Sequence, residues 1–242
     1  MSKHLENQKV LVFIPTHNAE GKKDVTYAFL PEAKEFIKLA KAGSELIQFD
    51  NSKPLPARRK FVGQCIESRI NKGFTSVAFM CHGWLNGMQA GYTRQQAPEL
   101  AGLIHKLVNS PPNVVKTDVI VPLFCCSTGD DPQNDPITAA GTGDDSFADK
   151  LRDALCQVGQ VNCRTMGHTT VAHTTKNPMV LFMDGMGVPD GGVGGYPPVS
   201  PKSAAWKLWR KALQNTSLRF RMPYMTAAEI HAELSAGSDA LV

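Results

Sequence analysis

Short apolar runs recur along this chain, and a stretch with helical spacing separates most neighbouring pairs. Residues 9–15 (KVLVFIP), 45–49 (ELIQF), 75–81 (TSVAFMC) and 118–125 (DVIVPLFC) read as strands. The first is β-branched and almost wholly apolar, the pattern of a strand buried on both faces. Residues 162–171 and 180–183 are candidates for a fifth and a sixth strand. Residues 28–42, 56–71, 96–108 and 146–158 read as helices. Gly43 and Lys72-Gly73 serve as stops, and Ser146 as an N-cap. Strands that alternate with helices imply crossover connections and a parallel sheet, so the expected class is α/β. Pro122, inside the fourth run, removes a ladder donor and predicts a bulge or an edge position.

A chain of 242 residues suits one domain with a sizeable core. The α/β domain is expected over residues 1–184. Residues 185–242 are expected to form a glycine- and proline-rich loop and C-terminal helices packed on the same domain. Those helices are predicted over 204–213 and 226–234, with Trp206, Trp209 and Leu213 on the docking face. The charge is +4 from 26 basic and 22 acidic side chains, and no basic run exceeds Arg58-Arg59-Lys60. Nucleic acid is therefore not an expected partner. No apolar stretch approaches a bilayer span, and residues 1–9 are polar, so neither a membrane partner nor a signal peptide is expected. A cytoplasmic location follows as an expectation. The six cysteines do not form a small-domain disulfide framework; Cys65, Cys81, Cys156 and Cys163 are expected to be reduced and buried.

In open parallel sheets, ligands sit outside the carboxyl ends of the strands. Reactive side chains follow several runs: His17 after the first, His82 after the third, Cys126 after the fourth, His168 and His173 around the fifth. His82 and Cys126 directly follow apolar runs that one helix separates. If those strands are neighbours, their ends lie about 5 Å apart. A thiolate is a strong nucleophile, and an imidazole titrates in the working range. Gly83 lets a substrate backbone approach, and its N–H with that of Cys126 suits an oxyanion. Against this, a cysteine at a strand end is often just a small buried residue, and a lone His-Gly is common.

The segments VAFMCHGWLNG (77–87) and VIVPLFCCSTGDD (119–131) together resemble the caspase-like cysteine peptidases. That group includes caspases, metacaspases, legumains, gingipains and separases. The second segment is most similar to the nucleophile segment of separases: a small residue, Cys, two hydroxyl residues and Gly after an apolar strand. The resemblance covers residues 9–171 as strand order and motif position. It implies a three-layer α/β sandwich with a mainly parallel six-stranded sheet. It also implies a thiol protease acting on a protein or peptide, with Cys126 as nucleophile, His82 as general acid/base and Gly83 as oxyanion donor. The chain departs from the pattern in its tandem Cys125-Cys126 and in Phe124, which replaces the polar residue that shapes the first specificity pocket in several relatives. The loop after the fifth strand lines the cleft in those families, so Phe124, His168 and His173 are the expected substrate-binding residues.

Three other readings stand beside this one. An inactive caspase-like interaction domain has the same fold without thiol reactivity. A metal-dependent hydrolase would use His17, His168 and His173, with Asp184 as a further ligand, although no zinc spacing is present. A flavodoxin-like binding module lacks a phosphate loop. No cofactor is implied: residues 138–145 (TAAGTGDD) have neither the P-loop Lys-Ser/Thr nor the EF-hand ligand spacing.

Overall fold

A computed structural model describes residues 4–17, 29–112, 118–130, 143–186 and 194–239. Most of the glycine–aspartate loop at 138–145 lies outside the described residues. The described residues contain eight strands: β1 (Val10–Pro15), β2 (Glu45–Phe49), β3 (Ser76–Met80), β4 (Gly83–Trp84), β5 (Gly87–Met88), β6 (Val119–Phe124), β7 (Cys163–His168) and β8 (Val180–Asp184). The helices are α1 (Leu30–Leu39), α2 (Leu55–Glu67), α3 (Ala97–Val108), α4 (Phe147–Gln157), α5 (Trp206–Asn215), α6 (Leu218–Arg221) and α7 (Ala227–Asp239). Six strands form one sheet in the order β2-β1-β3-β6-β7-β8; β4 and β5 form a separate hairpin. All neighbours in the large sheet are parallel except β7 and β8. The α/β class and the mainly parallel six-stranded sheet are as expected.

Strand alternation builds two cores. Leu11, Phe13, Phe79, Val121, Leu123 and Met183 face α2, α3 and α4, meeting Ile66, Leu100 and Leu151 among others. Val12, Ile14, Met80, Phe124 and Phe182 face the other side, where α1 supplies Phe36 and α5 supplies Trp209 and Leu213. The result is a three-layer sandwich. The C-terminal helices close its second face, and Ile230 and Leu234 of α7 belong to the same core as β1. Trp209 is wholly buried, with its indole N–H donating to the Pro178 carbonyl (3.0 Å), whereas Trp206 stays partly exposed.

Pro122 lies at neither an edge nor a bulge, for β6 lies between β3 and β7 and its register with β3 is the same on both sides of the proline. The sheet accommodates the missing donor on one side. Pairing with β7 runs unbroken through Pro122↔Met166, while pairing with β3 skips Val121 and Pro122 and resumes at Phe79↔Leu123. Ser146 caps α4 as its position predicts, accepting a hydrogen bond from the Asp149 N–H (3.1 Å).

A buried polar cluster ties the last strands to the C-terminal layer. Arg164 on β7 grips the Asp184 carboxylate on β8 with two nitrogens (2.5 and 2.8 Å). Tyr196 donates its hydroxyl to the same carboxylate (2.7 Å), and Arg164 reaches the Met225 carbonyl (2.5 Å). The guanidinium also lies over the Phe182 ring, 4.6 Å from its centroid. Asp184 is thereby committed to Arg164, not to a metal.

Candidate active site

β3 and β6 are paired in register to their ends, Met80 opposite Phe124. One step further, Cys81 and Cys125 stand side by side with their sulfurs 3.5 Å apart. His82 and Cys126 follow at the same next step. The tandem cysteines divide by the alternation of the strand. Cys125 is wholly buried among the residues facing α2–α4, and burial, reinforced by the Cys81 thiol, holds its own thiol well above the usual range. Cys126 is 8% exposed and opens toward the other face, where its thiol points at the Ala172 carbonyl (3.3 Å).

The backbone around Cys126 is tightly specified. Ser127, the next residue, has φ +54°, in the left-handed region that costs an L-residue roughly 1–2 kcal/mol. Thr128 donates its hydroxyl to the Cys125 carbonyl (2.9 Å), and its own carbonyl accepts from the Ala148 N–H (2.8 Å) in α4. The Gly129 N–H donates to the His168 carbonyl (2.9 Å). Gly129 and Gly167 meet backbone to backbone, so a Cβ on either would come within 2.7 Å of the other's main chain. The turn after Cys126 is thus locked against β7 and α4.

His82 is partly exposed at the mouth of the β4–β5 hairpin. Its ring meets Phe29 edge to face, centroids 5.0 Å apart. Gln89, nearly buried, holds the His82 backbone from both sides. The Gln89 N–H donates to the His82 carbonyl (2.8 Å), and the His82 N–H reaches Gln89 Oε1 (3.4 Å). Arg58 in turn donates to the Gln89 carbonyl (3.1 Å). Gly83 sits directly against the main chain of Cys126. Sequence reasoning did not single out Gln89 or the hairpin. The dipeptide Asn86-Gly87 is a turn signal that points to the hairpin, whose loop is Leu85-Asn86; no local signal points to Gln89.

The expected substrate-binding residues separate in the structure. Phe124 is wholly buried, its ring edge-on to Phe36 (5.9 Å) and Phe220 (6.5 Å), so it lies beneath the site rather than on it. His168 is also wholly buried, near Phe124 (6.4 Å). The Thr174 and Met179 backbone lies beside its ring short of good hydrogen-bonding geometry, and burial, outweighing these neighbours, pushes its pKa down to about 4. His168 is therefore a neutral core histidine. His173 remains partly exposed on the β7–β8 loop that crosses Cys126, with Nδ1 near the Thr175 N–H (3.4 Å).

Two threonines of that loop, Thr170 and Thr175, are held through their hydroxyls by other side chains. Asn177 bonds the Thr170 hydroxyl (3.2 Å), and Thr175 donates to Glu32 (3.1 Å), which also pairs with Arg219 (3.2 Å). His17 is fixed apart from these, its N–H and carbonyl both bound by the Asn51 side chain (2.8 and 2.7 Å). Among the described residues, no three histidine, cysteine or acidic side chains converge as a metal site requires. The three histidines of the metal reading are thus not brought together.

The described part of the chain defines an α/β sandwich with a histidine and a cysteine at the adjoining ends of its two central strands. Compared with known protein families and with characterised proteins, the chain shows no match. Among the described residues, no helix is long and apolar enough to cross a membrane.

Proposed function

We propose that this protein is a cysteine-dependent hydrolase of the caspase-like kind, acting on a peptide bond in a protein or peptide substrate. The observation that carries the reading is the matched position of His82 and Cys126, each two residues beyond the Met80↔Phe124 pair, with Gly83 packed on the Cys126 main chain. Cys126 is the nucleophile and His82 the general acid/base. The thiol proton passes to the imidazole as Sγ attacks the carbonyl carbon and a C–S bond forms. The N–H groups of Gly83 and Cys126 take up the negative charge on the former carbonyl oxygen. The imidazolium then protonates the leaving amine as the C–N bond breaks. A water, deprotonated by the same imidazole, hydrolyses the thioester and restores the thiol. Gln89 and Arg58 act as positioning residues for His82. All six cysteines are free thiols, which fits a reducing, cytoplasmic setting.

Turnover of a mixed fluorogenic peptide library tests this reading. Cys126→Ala is expected to abolish it, and His82→Ala to lower it by a factor on the order of 10²–10⁴. The inactive interaction domain is a second reading, and one observation favours it: the Cys126 thiol is nearly covered, donating to the Ala172 carbonyl. That reading expects no library member to be cleaved while the fold is intact.

A further inference from the structure

A second sulfur pair lies away from the strand ends that carry Cys126. Cys156, in the last turn of α4, and Cys163, the first residue of β7, have their sulfurs 3.8 Å apart. Both were expected to be buried; Cys163 is, but Cys156 is partly exposed beside the exposed Val158 and Val161. We propose that Cys156 and Cys163 form a redox-active dithiol that reduces a small hydroperoxide and closes to a disulfide.

The surroundings give the two sulfurs different tasks. The Cys163 thiol and the Met186 backbone N–H both support a thiolate at Cys156, and Arg152 adds positive charge. These bring the Cys156 thiol down to about 6, against the opposing effect of its partial burial. Cys163 is held the other way by the same contact and by burial. Cys156 is thus the accessible, nucleophilic partner and Cys163 the resolving one. The backbone of Gly185 seals the pair from behind: a Cβ there would come within 2.9 Å of the Cys163 sulfur and 3.2 Å of the Cys156 sulfur. Closure requires the sulfurs to move from 3.8 Å to about 2 Å. Cys156 lies one residue before the end of α4 at Gln157, so closure asks for rearrangement of the last helical turn alone. The other close pair, Cys81 and Cys125, lies wholly within the core and out of an oxidant's reach.

The electron count closes with the hydroperoxide as oxidant. The Cys156 thiolate attacks the peroxide oxygen, the O–O bond breaks, and an alcohol or water leaves after taking a proton. Cys156 becomes a sulfenic acid. The Cys163 sulfur attacks that sulfur, an S–S bond forms and the S–O bond breaks. Hydroxide leaves with the Cys163 proton as water. The dithiol loses two electrons and the peroxide gains them.

The fully reduced protein treated with hydrogen peroxide, followed by intact mass and peptide mapping, tests the proposal. The expected result is a loss of two hydrogen atoms and a peptide linking Cys156 to Cys163, reversed by a small dithiol. In Cys163→Ser, a sulfenic acid trappable by a cyclic dione is expected at Cys156. Cys126→Ala should leave the reaction unchanged. Cys156 remaining a thiol while Cys126 or Cys65 is oxidised, or a disulfide linking Cys81 to Cys125, overturns the proposal. None of these outcomes depends on peptidase activity.

Discussion

Gly83 packs so closely on Cys126 that a Cβ at position 83 would collide with the Cys126 carbonyl oxygen, with Cys125 Cβ at 2.8 Å and Thr128 Cγ2 at 2.9 Å. The first contact is main chain, so no side-chain rotation relieves it. Gly83→Ala is therefore expected to force the ends of β3 and β6 apart. Denaturant titration should show a loss of about 1–3 kcal/mol. Because about 1 Å of misplacement can cost on the order of 10² in rate, turnover should fall by that factor. Gly102→Ala, in α3 with nothing within 4 Å of the new atom, should instead stabilise by about 0.5–1 kcal/mol.

The tandem cysteines should separate stability from reactivity. Cys125→Ser places a hydroxyl in the wholly buried core beside Cys81 and is expected to cost about 1–3 kcal/mol. Cys126→Ala, just past the end of β6 and on the other face of the sheet, should stay within about 1 kcal/mol of the parent. Paired denaturation curves check this. Equal losses at the two positions would contradict the division between a core thiol and a site thiol.

His168 should make the fold sensitive to mild acid. Its pKa is about 4 when folded, against about 6.5 when unfolded. The unfolded chain therefore binds more protons in the window between those values. The stabilisation is fully present above pH 6.5 and is lost as pH falls toward 4, up to about 3 kcal/mol. His168→Leu should flatten this part of the stability–pH curve. A curve of unchanged shape in the variant would show that the imidazole is not kept neutral by burial.

The Arg164–Asp184 bridge should fasten the C-terminal layer. Asp184→Ala leaves the guanidinium buried without its carboxylate, a change that costs about 3–5 kcal/mol for buried pairs. The Met225 carbonyl and Tyr196 hydroxyl lose part of their network with it. Faster proteolysis in residues 194–239 than in β1–β3 is the expected signature. Uniform proteolysis would mean that the layer is held by apolar packing alone.

β1, β2, β3, β6 and β8 were legible because each is an apolar run with β-branched or aromatic residues, whereas β7 (CRTMGH) and the short β4 and β5 carry no such signal. Helix positions followed from spacing, and the Ser146 cap from its residue type. The antiparallel direction of β8 was not legible, since a five-residue apolar run reads the same both ways. Pro122 pointed to a bulge or an edge because residue type does not tell which neighbour will forgo a hydrogen bond. The burial of Phe124 and His168 escaped notice for a different reason. Phe124 is covered by Phe36 of α1 and Phe220 of α6, which are remote in sequence and whose docking local patterns do not encode, and His168 is covered by Phe124 and by the Thr174 and Met179 backbone of its own loop. The placement of His82 opposite Cys126 was accessible because both follow strands whose pairing sets their register.

Alkylation by a peptide bearing an electrophilic ketone at its carboxyl end, with the modified cysteine mapped, tests the Cys126–His82 site most directly. It is best done in Cys156→Ser, which removes one of the two other partly exposed thiols and leaves Cys65 as an internal comparison. Cys126 should be modified, and His82→Ala should slow the reaction by a factor on the order of 10². Modification at Cys65 or Cys125 with Cys126 untouched, or labelling of Cys126 at the same rate without His82, would contradict the site.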